Sequence, residues 1–104
     1  MRQSYAKAIP RAWRRTAGLF VALGDAHRQR ILLMFEPGER LNVGQIVAAS
    51  TLSRSAVAHH LKVLREAGVL ASEKLGKEVW YRTDPDTVRA ALMSVLDYLD
   101  EHER

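Results

Sequence analysis

The chain has no cysteine among its 104 residues, which excludes disulfides, thiolate metal ligands and thiol redox sensing together. That absence leaves the redox compartment open. Long apolar runs are absent as well, and no stretch approaches the roughly 20 residues that cross a bilayer. The nearest imitation of a leader is "RAWRRTAGLFVALGDA", a basic lead followed by a short apolar run. Its Trp13, Ala17, Phe20 and Val21 recur at helical spacing, so it reads as a helix and the protein as cytoplasmic. There is no repeat, no low-complexity tract, no glycine-rich phosphate loop, no HExxH and no Ser/His/Asp arrangement, so nothing points to an enzyme.

What is present is basic and amphipathic. The hydrophobic fraction of 47% over this length suits one domain spanning residues 1–104. Lysine and arginine number 16 against 12 acidic residues, giving +4. The distribution matters more than the sum, because residues 1–83 carry 14 basic and six acidic side chains and residues 84–104 two and six. A basic body followed by an acidic tail points to a polyanion as the partner of the body.

Local signals divide the body into short helices. Pro10 suits the first turn of a helix running to about Leu23. Gly24 breaks it, Asp25 caps a second helix with Ile31, Leu32 and Phe35 inward, and "EPGE" turns the chain. "RLNV" reads as a short extended piece, and "GQIVAAS" as a brief third helix with Ile46 and Val47 inward. "TLS" then leads tightly into "SRSAVAHHLKVLREAGVL", residues 53–70. In that stretch Ser53 is a plausible N-cap and Gly68 a terminator. Val57, Leu61 and Leu64 share one face, flanked by Ala56, His60 and Ala67, while Arg54, Ser55, Ala58, His59, Lys62 and Arg65 occupy the other. Two helices so closely joined form a helix-turn-helix, whose second helix fits a DNA major groove.

The next segment, "VLASEKLGKEVWYRT", alternates on both sides of Gly76-Lys77 and reads as a β-hairpin. A hairpin directly after a helix-turn-helix is a wing, and it offers Lys74, Lys77 and Arg82 to phosphates or a minor groove. Trp80 packs on the wing. The last segment reads as a helix with Val88, Ala91, Leu92, Val95 and Leu99 in a stripe, which must meet either the core or a second subunit. The fold expected is mainly α with a small β-hairpin, a winged helix-turn-helix.

In this order and at these separations, "LGDAHRQRILLMF", "SRSAVAHHLKVLREAGVL" and "KLGKEVWYR" resemble the second helix, recognition helix and wing of the ArsR/SmtB family of bacterial repressors. The resemblance runs from about Phe20 to Leu99. It implies a homodimer joined through first and last helices, near 1–23 and 86–103, on a palindromic operator that an effector releases. Trp13, Phe20, Leu92, Val95 and Leu99 are the expected interface residues. Double-stranded DNA is the expected partner, read by Arg54, Ser55, Ala58, His59 and Lys62, with Arg54 suited to guanine. His60 falls on the core side, and His27 and His102 on the surface.

Where some relatives carry a metal-binding cysteine pair, this chain has Asn42 and Gly44, so that site is absent. At the spacing of the family's other metal site, between paired last helices, it has Asp84, Asp86, Asp97 and Asp100. Such an all-carboxylate set suits a hard divalent metal such as Ca²⁺, Mg²⁺ or Mn²⁺ or, more simply, a cap and solvated charges. No other cofactor is expected. A small organic ligand, a protein partner and no effector remain open, as do two rival functions: a sequence-indifferent architectural DNA-binding protein and a protein-binding winged helix.

Overall fold

The computed structural model describes residues 9–102. Pro10 caps a 3₁₀ turn over Arg11–Trp13, which feeds α1 (Arg14–Leu23). There follow α2 (Ala26–Leu32), β1 (Leu41–Asn42), α3 (Val43–Ala48), α4 (Arg54–Glu66), β2 (Leu70–Leu75), β3 (Glu78–Thr83) and α5 (Pro85–His102). The architecture is the expected helical body with a wing.

Each helix start has a local cause. Asp25 accepts from the backbone N–H of His27 and of Arg28 at 2.8 and 3.2 Å, and Ser53 from that of Ala56 at 3.2 Å. Asn42 and Gln45 form a reciprocal capping box on α3. Asp84 accepts from the Thr87 N–H and hydroxyl, with Pro85 behind it at the first helical position, where its missing N–H costs nothing. Recognition-helix candidate α4 ends in a left-handed glycine. Gly68 has φ +79°, its N–H reaches the Arg65 carbonyl, and the Val69 N–H reaches Leu64. That is the Schellman pattern, which satisfies two carbonyls the helix leaves open.

Position 68 carries a large expected effect of its own. A Cβ there would sit 2.8 Å from the Cγ2 of Thr87, whose rotamer is held by its hydroxyl donating to Asp84 at 2.8 Å. Gly68→Ala is expected to cost more than the roughly 1–2 kcal/mol of a left-handed alanine alone. Gly18→Ala, inside α1 with nothing within 4 Å, is expected to stabilise by up to about 1 kcal/mol. Urea denaturation of both separates the two, and equal midpoints would refute the account.

The core joins Leu19 and Ala22 of α1, Ile31 of α2, Ile46 of α3, Val57, Leu61 and Leu64 of α4, Val69, Leu70 and Ala91. One expectation needs correction: residues 49–53, not three residues, join α3 to α4. The face of α1 turned inward is Thr16, Leu19 and Ala22, while Ala17, Phe20 and Val21 are exposed. Within the extended piece "RLNV", Leu41 pairs with Tyr81 and Asn42 with Trp80, making a three-stranded antiparallel sheet in the order β1-β3-β2.

Candidate nucleic-acid interface

Every core-side residue of α4 named above, Val57, Leu61 and Leu64, is fully covered, and every polar-arc residue is exposed: Arg54, Ser55, Ala58, His59, Lys62 and Arg65. The apolar side fixes the rotation of the helix, so the arc points outward as a unit. Ser55 contributes its hydroxyl 3.2 Å from that of Ser53, next to the cap. No acidic residue lies in the first turn, leaving Arg54 at the positive end of the helix dipole. A cation there is locally disfavoured by a few tenths of a kcal/mol, an arrangement that an incoming anion reverses.

The wing brings Lys77 to the same place. Gly76, with φ +64°, opens a two-residue loop, the position at which hairpins demand glycine. Arg54, Lys77, Asn42, Gly44, Glu78 and Val79 line one groove between the hairpin tip and the start of α4. Register sorts the remaining wing cations. Lys74 is opposite Val79 and Ser72 opposite Tyr81, so Lys74 shares the face whose root packs on the core. Arg82 is opposite Ala71 on the other face, with Trp80, and lines a hollow with Phe35, Pro37 and Pro85 at the wing's base. Lys77 therefore shares a groove with Arg54, while Lys74 and Arg82 stand on opposite faces of the wing.

Two ties at this end of the molecule carry no local sequence signal. Arg40 pairs with Glu73 at 3.7 Å, and the Asn42 amide donates to Glu78 at 3.4 Å. Both join β1 to the hairpin. A third, Arg28, clamps the α1–α2 corner: its Nε donates to the Ala22 carbonyl at 2.7 Å and its Nη2 to Val21 at 3.2 Å. The same guanidinium reaches Nδ1 of His60 at 3.3 Å. Since arginine only donates, His60 accepts there, and its other nitrogen carries the proton.

His60 thus connects α4 to the corner in its neutral form. Burial pushes its pKa below the ordinary 6.5, Asp25 pulls it back, and Arg28, His27 and His59 lower it further. Above pH 6.5 the ring is neutral folded or unfolded. As pH falls below that value the unfolded chain takes up a proton the folded chain resists, so stability declines until pH has passed through the lowered folded value. Asp25, itself held below 3.8 chiefly by the Arg28 N–H, loses its contribution only in far stronger acid. Urea midpoints at neutral and mildly acidic pH are expected to separate in the wild type and to converge in His60→Gln. Equal separations would refute the role of His60.

Of the expected interface residues, Phe20 is 48% exposed, Leu92 40% and Leu99 46%. Trp13 and Val95 are half-buried, Trp13 with its ring edge-on to Tyr98 at 5.6 Å. Leu96, 51% exposed, belongs with Leu92 and Leu99. At about 100° per residue the three fall within an arc of about 60°, a spacing that could have identified Leu96 from sequence. The four aspartates do not form a site within one chain. Asp84 is occupied as a cap, Asp86 pairs with Arg89 at 3.3 Å, and Asp97 and Asp100 are exposed. Among the described residues no three His, Asp or Glu side chains gather to hold a metal ion. Nor is any helix there long and apolar enough to cross a membrane.

Comparison with known proteins gives the same picture. The sequence model of the bacterial regulatory protein, ArsR family, matches residues 25–72, from the α2 cap into β2. The chain is 35% identical over 82 residues to arsenic resistance transcriptional regulator ArsR1 of Pseudomonas putida, covering 76% of this chain and 64% of that one. It is 37% identical over 87 residues to HTH-type transcriptional regulator Rv2034 of Mycobacterium tuberculosis, covering 84% and 73%. An ArsR-like transcriptional regulator from Rhodococcus sp. RHA1 superposes with a TM-score of 0.81 at 26% identity, covering 89% of this chain and 87% of that chain. These relatives are regulators, not enzymes. With its capped recognition helix, its wing and these matches, the chain belongs to the ArsR family of winged helix-turn-helix transcriptional regulators.

Proposed function

We propose that this protein is a cytoplasmic repressor that binds a palindromic operator as a homodimer, with α4 in the major groove and the wing on flanking phosphates. One observation supports this most: an exposed arc of Arg54, Ser55, Ala58, His59 and Lys62 on a helix locked by a fully buried face, with Lys77 in a groove shared with Arg54. Arg54 and Ser55 lie at the helix start, where groove-entering helices meet base edges, and Arg54 matches guanine O6 and N7. Ala58 leaves room for close approach, while His59 and Lys62 extend the contact along the groove. Lys74 and Lys77 supply charge without sequence preference.

The experiment is a titration of a palindromic promoter fragment against a scrambled one at fixed salt. A preference of about 10³ or more is expected. Equal affinities would mean an architectural protein, and binding to neither a protein-docking module. Arsenic resistance is the process in the Pseudomonas protein's name, but these 104 residues hold no cysteine to supply a thiolate ligand. Asp84, Asp86, Asp97 and Asp100 carry a metal in this reading only across a dimer, and Asp84 and Asp86 already have partners.

A further inference from the structure

We propose that the cleft between α1, the last turn of α4 and the start of α5 binds a small organic anion bearing two or more negative charges, and that its occupancy weakens DNA binding. Its walls carry three guanidiniums, Arg14, Arg15 and Arg65, with Gly18, Thr87 and a single carboxylate, Glu66. The cleft encloses about 340 Å³, within the range of small-molecule sites.

The charges there are unbalanced. The ion pairs formed among the described residues use Arg28, Arg40 and Arg89, none of the three arginines of the cleft. Arg14 and Arg15 stand in the first turn of α1, which has no acidic residue, so the positive end of the helix dipole adds to their charge. Two like charges at that end are a locally unfavourable arrangement that a bound anion converts into a favourable one. Guanidinium forks match carboxylate and phosphate oxygens in pairs, which favours a ligand with several such oxygens over a monovalent ion.

Arg65 shares the exposed arc with Arg54 but lies eleven residues further along one continuous helix, about 16 Å along its axis, so the cleft stands apart from the groove that Arg54 shares with Lys77. That same continuity supplies the coupling. An anion drawing Arg65 toward α1 acts on the rigid body that carries Arg54, and its charge reduces the attraction for phosphate. The coupling rests on the DNA-binding reading; the anion site does not.

Calorimetric titration with pyrophosphate and, separately, with citrate at constant ionic strength tests the site. Saturable binding of at least one, at one per chain, is expected. It should weaken at least tenfold in Arg14→Ala/Arg65→Ala, and persist in Arg30→Ala and in Arg54→Ala/Lys77→Ala. Pyrophosphate alone would assign a phosphorylated ligand, citrate alone a polycarboxylate. No saturable heat from either, or heat lost with Arg54 and Lys77 instead, overturns the site. With the bound anion at saturation, operator affinity is expected to fall at least threefold in the wild type and not in Arg14→Ala/Arg65→Ala. By reciprocity the operator must weaken the anion to the same degree. An unchanged operator affinity beside intact anion binding overturns the coupling alone. Absence of operator binding overturns the DNA reading and leaves the calorimetry standing.

Discussion

Leu96→Glu is expected to turn the proposed homodimer into a folded monomer and to lower operator affinity at least about 100-fold. The argument is one of area and symmetry. Leu92, Leu96 and Leu99 form an exposed stripe on α5, more apolar surface in one line than a small soluble helix ordinarily presents to water. Covering a leucine contributes about 1.5–3 kcal/mol, and a two-fold interface contains every residue twice. Since Leu96 is already about half covered in its own chain, a single substitution removes on the order of 2 kcal/mol, about 30-fold in the dimer constant, and the desolvation of two carboxylates adds to it. Because Leu96 is about half exposed and lies outside the core, the monomer's circular dichroism melt should hold. Operator affinity falls because the two recognition helices, spaced about 34 Å apart to meet successive major grooves, no longer bind together. Sedimentation at micromolar concentration decides it. A monomeric wild type, or a dimeric Leu96→Glu, would refute the interface.

Features written in short-range chemistry were legible in the sequence. Ser53, Asp25 and Gly68 act through neighbours two to five residues away, so their roles as caps and terminator follow from residue type and spacing alone. The buried triad of α4 follows from periodicity, since its opposite face is polar and admits one orientation. In α1 that logic fails. Leu19 and Ala22 face the core while Phe20 and Val21 face outward, so the helix is apolar on two sides and the period cannot choose between them. The same two-sidedness marks a helix with a second partner to find. The extended piece at β1 was legible, but its partner was not: the pairing with β3 spans about forty residues and only two positions, too short for an alternating pattern. The clamp made by Arg28 has no local signal, because the carbonyls it satisfies belong to another helix. Lys74, Lys77 and Arg82 were equivalent as charges, and only the folded wing separates them: Lys77 lines a groove with Arg54, and Lys74 and Arg82 lie on opposite faces.

Arg54→Ala tests that helix directly. The side chain is exposed at the first position of α4, so its loss leaves the core intact and the melting temperature close to that of the wild type. A two-pronged arginine–guanine contact discriminates by about 1–3 kcal/mol, so each half-site should lose that much at one base pair while the other positions keep their preferences. Over two half-sites the loss reaches about 2–6 kcal/mol, or roughly 30-fold to more than 10⁴-fold in affinity. Lys77→Ala at the wing tip is the control, because a lysine on phosphate carries charge and no base preference. It should weaken all sequences alike and reduce the slope of log affinity against log salt by about one per contact. Measuring both variants on the operator and on every single-base substitution of one half-site separates reading from holding. If Arg54→Ala lowered affinity uniformly while Lys77→Ala changed the base preference, the roles assigned to helix and wing would be reversed.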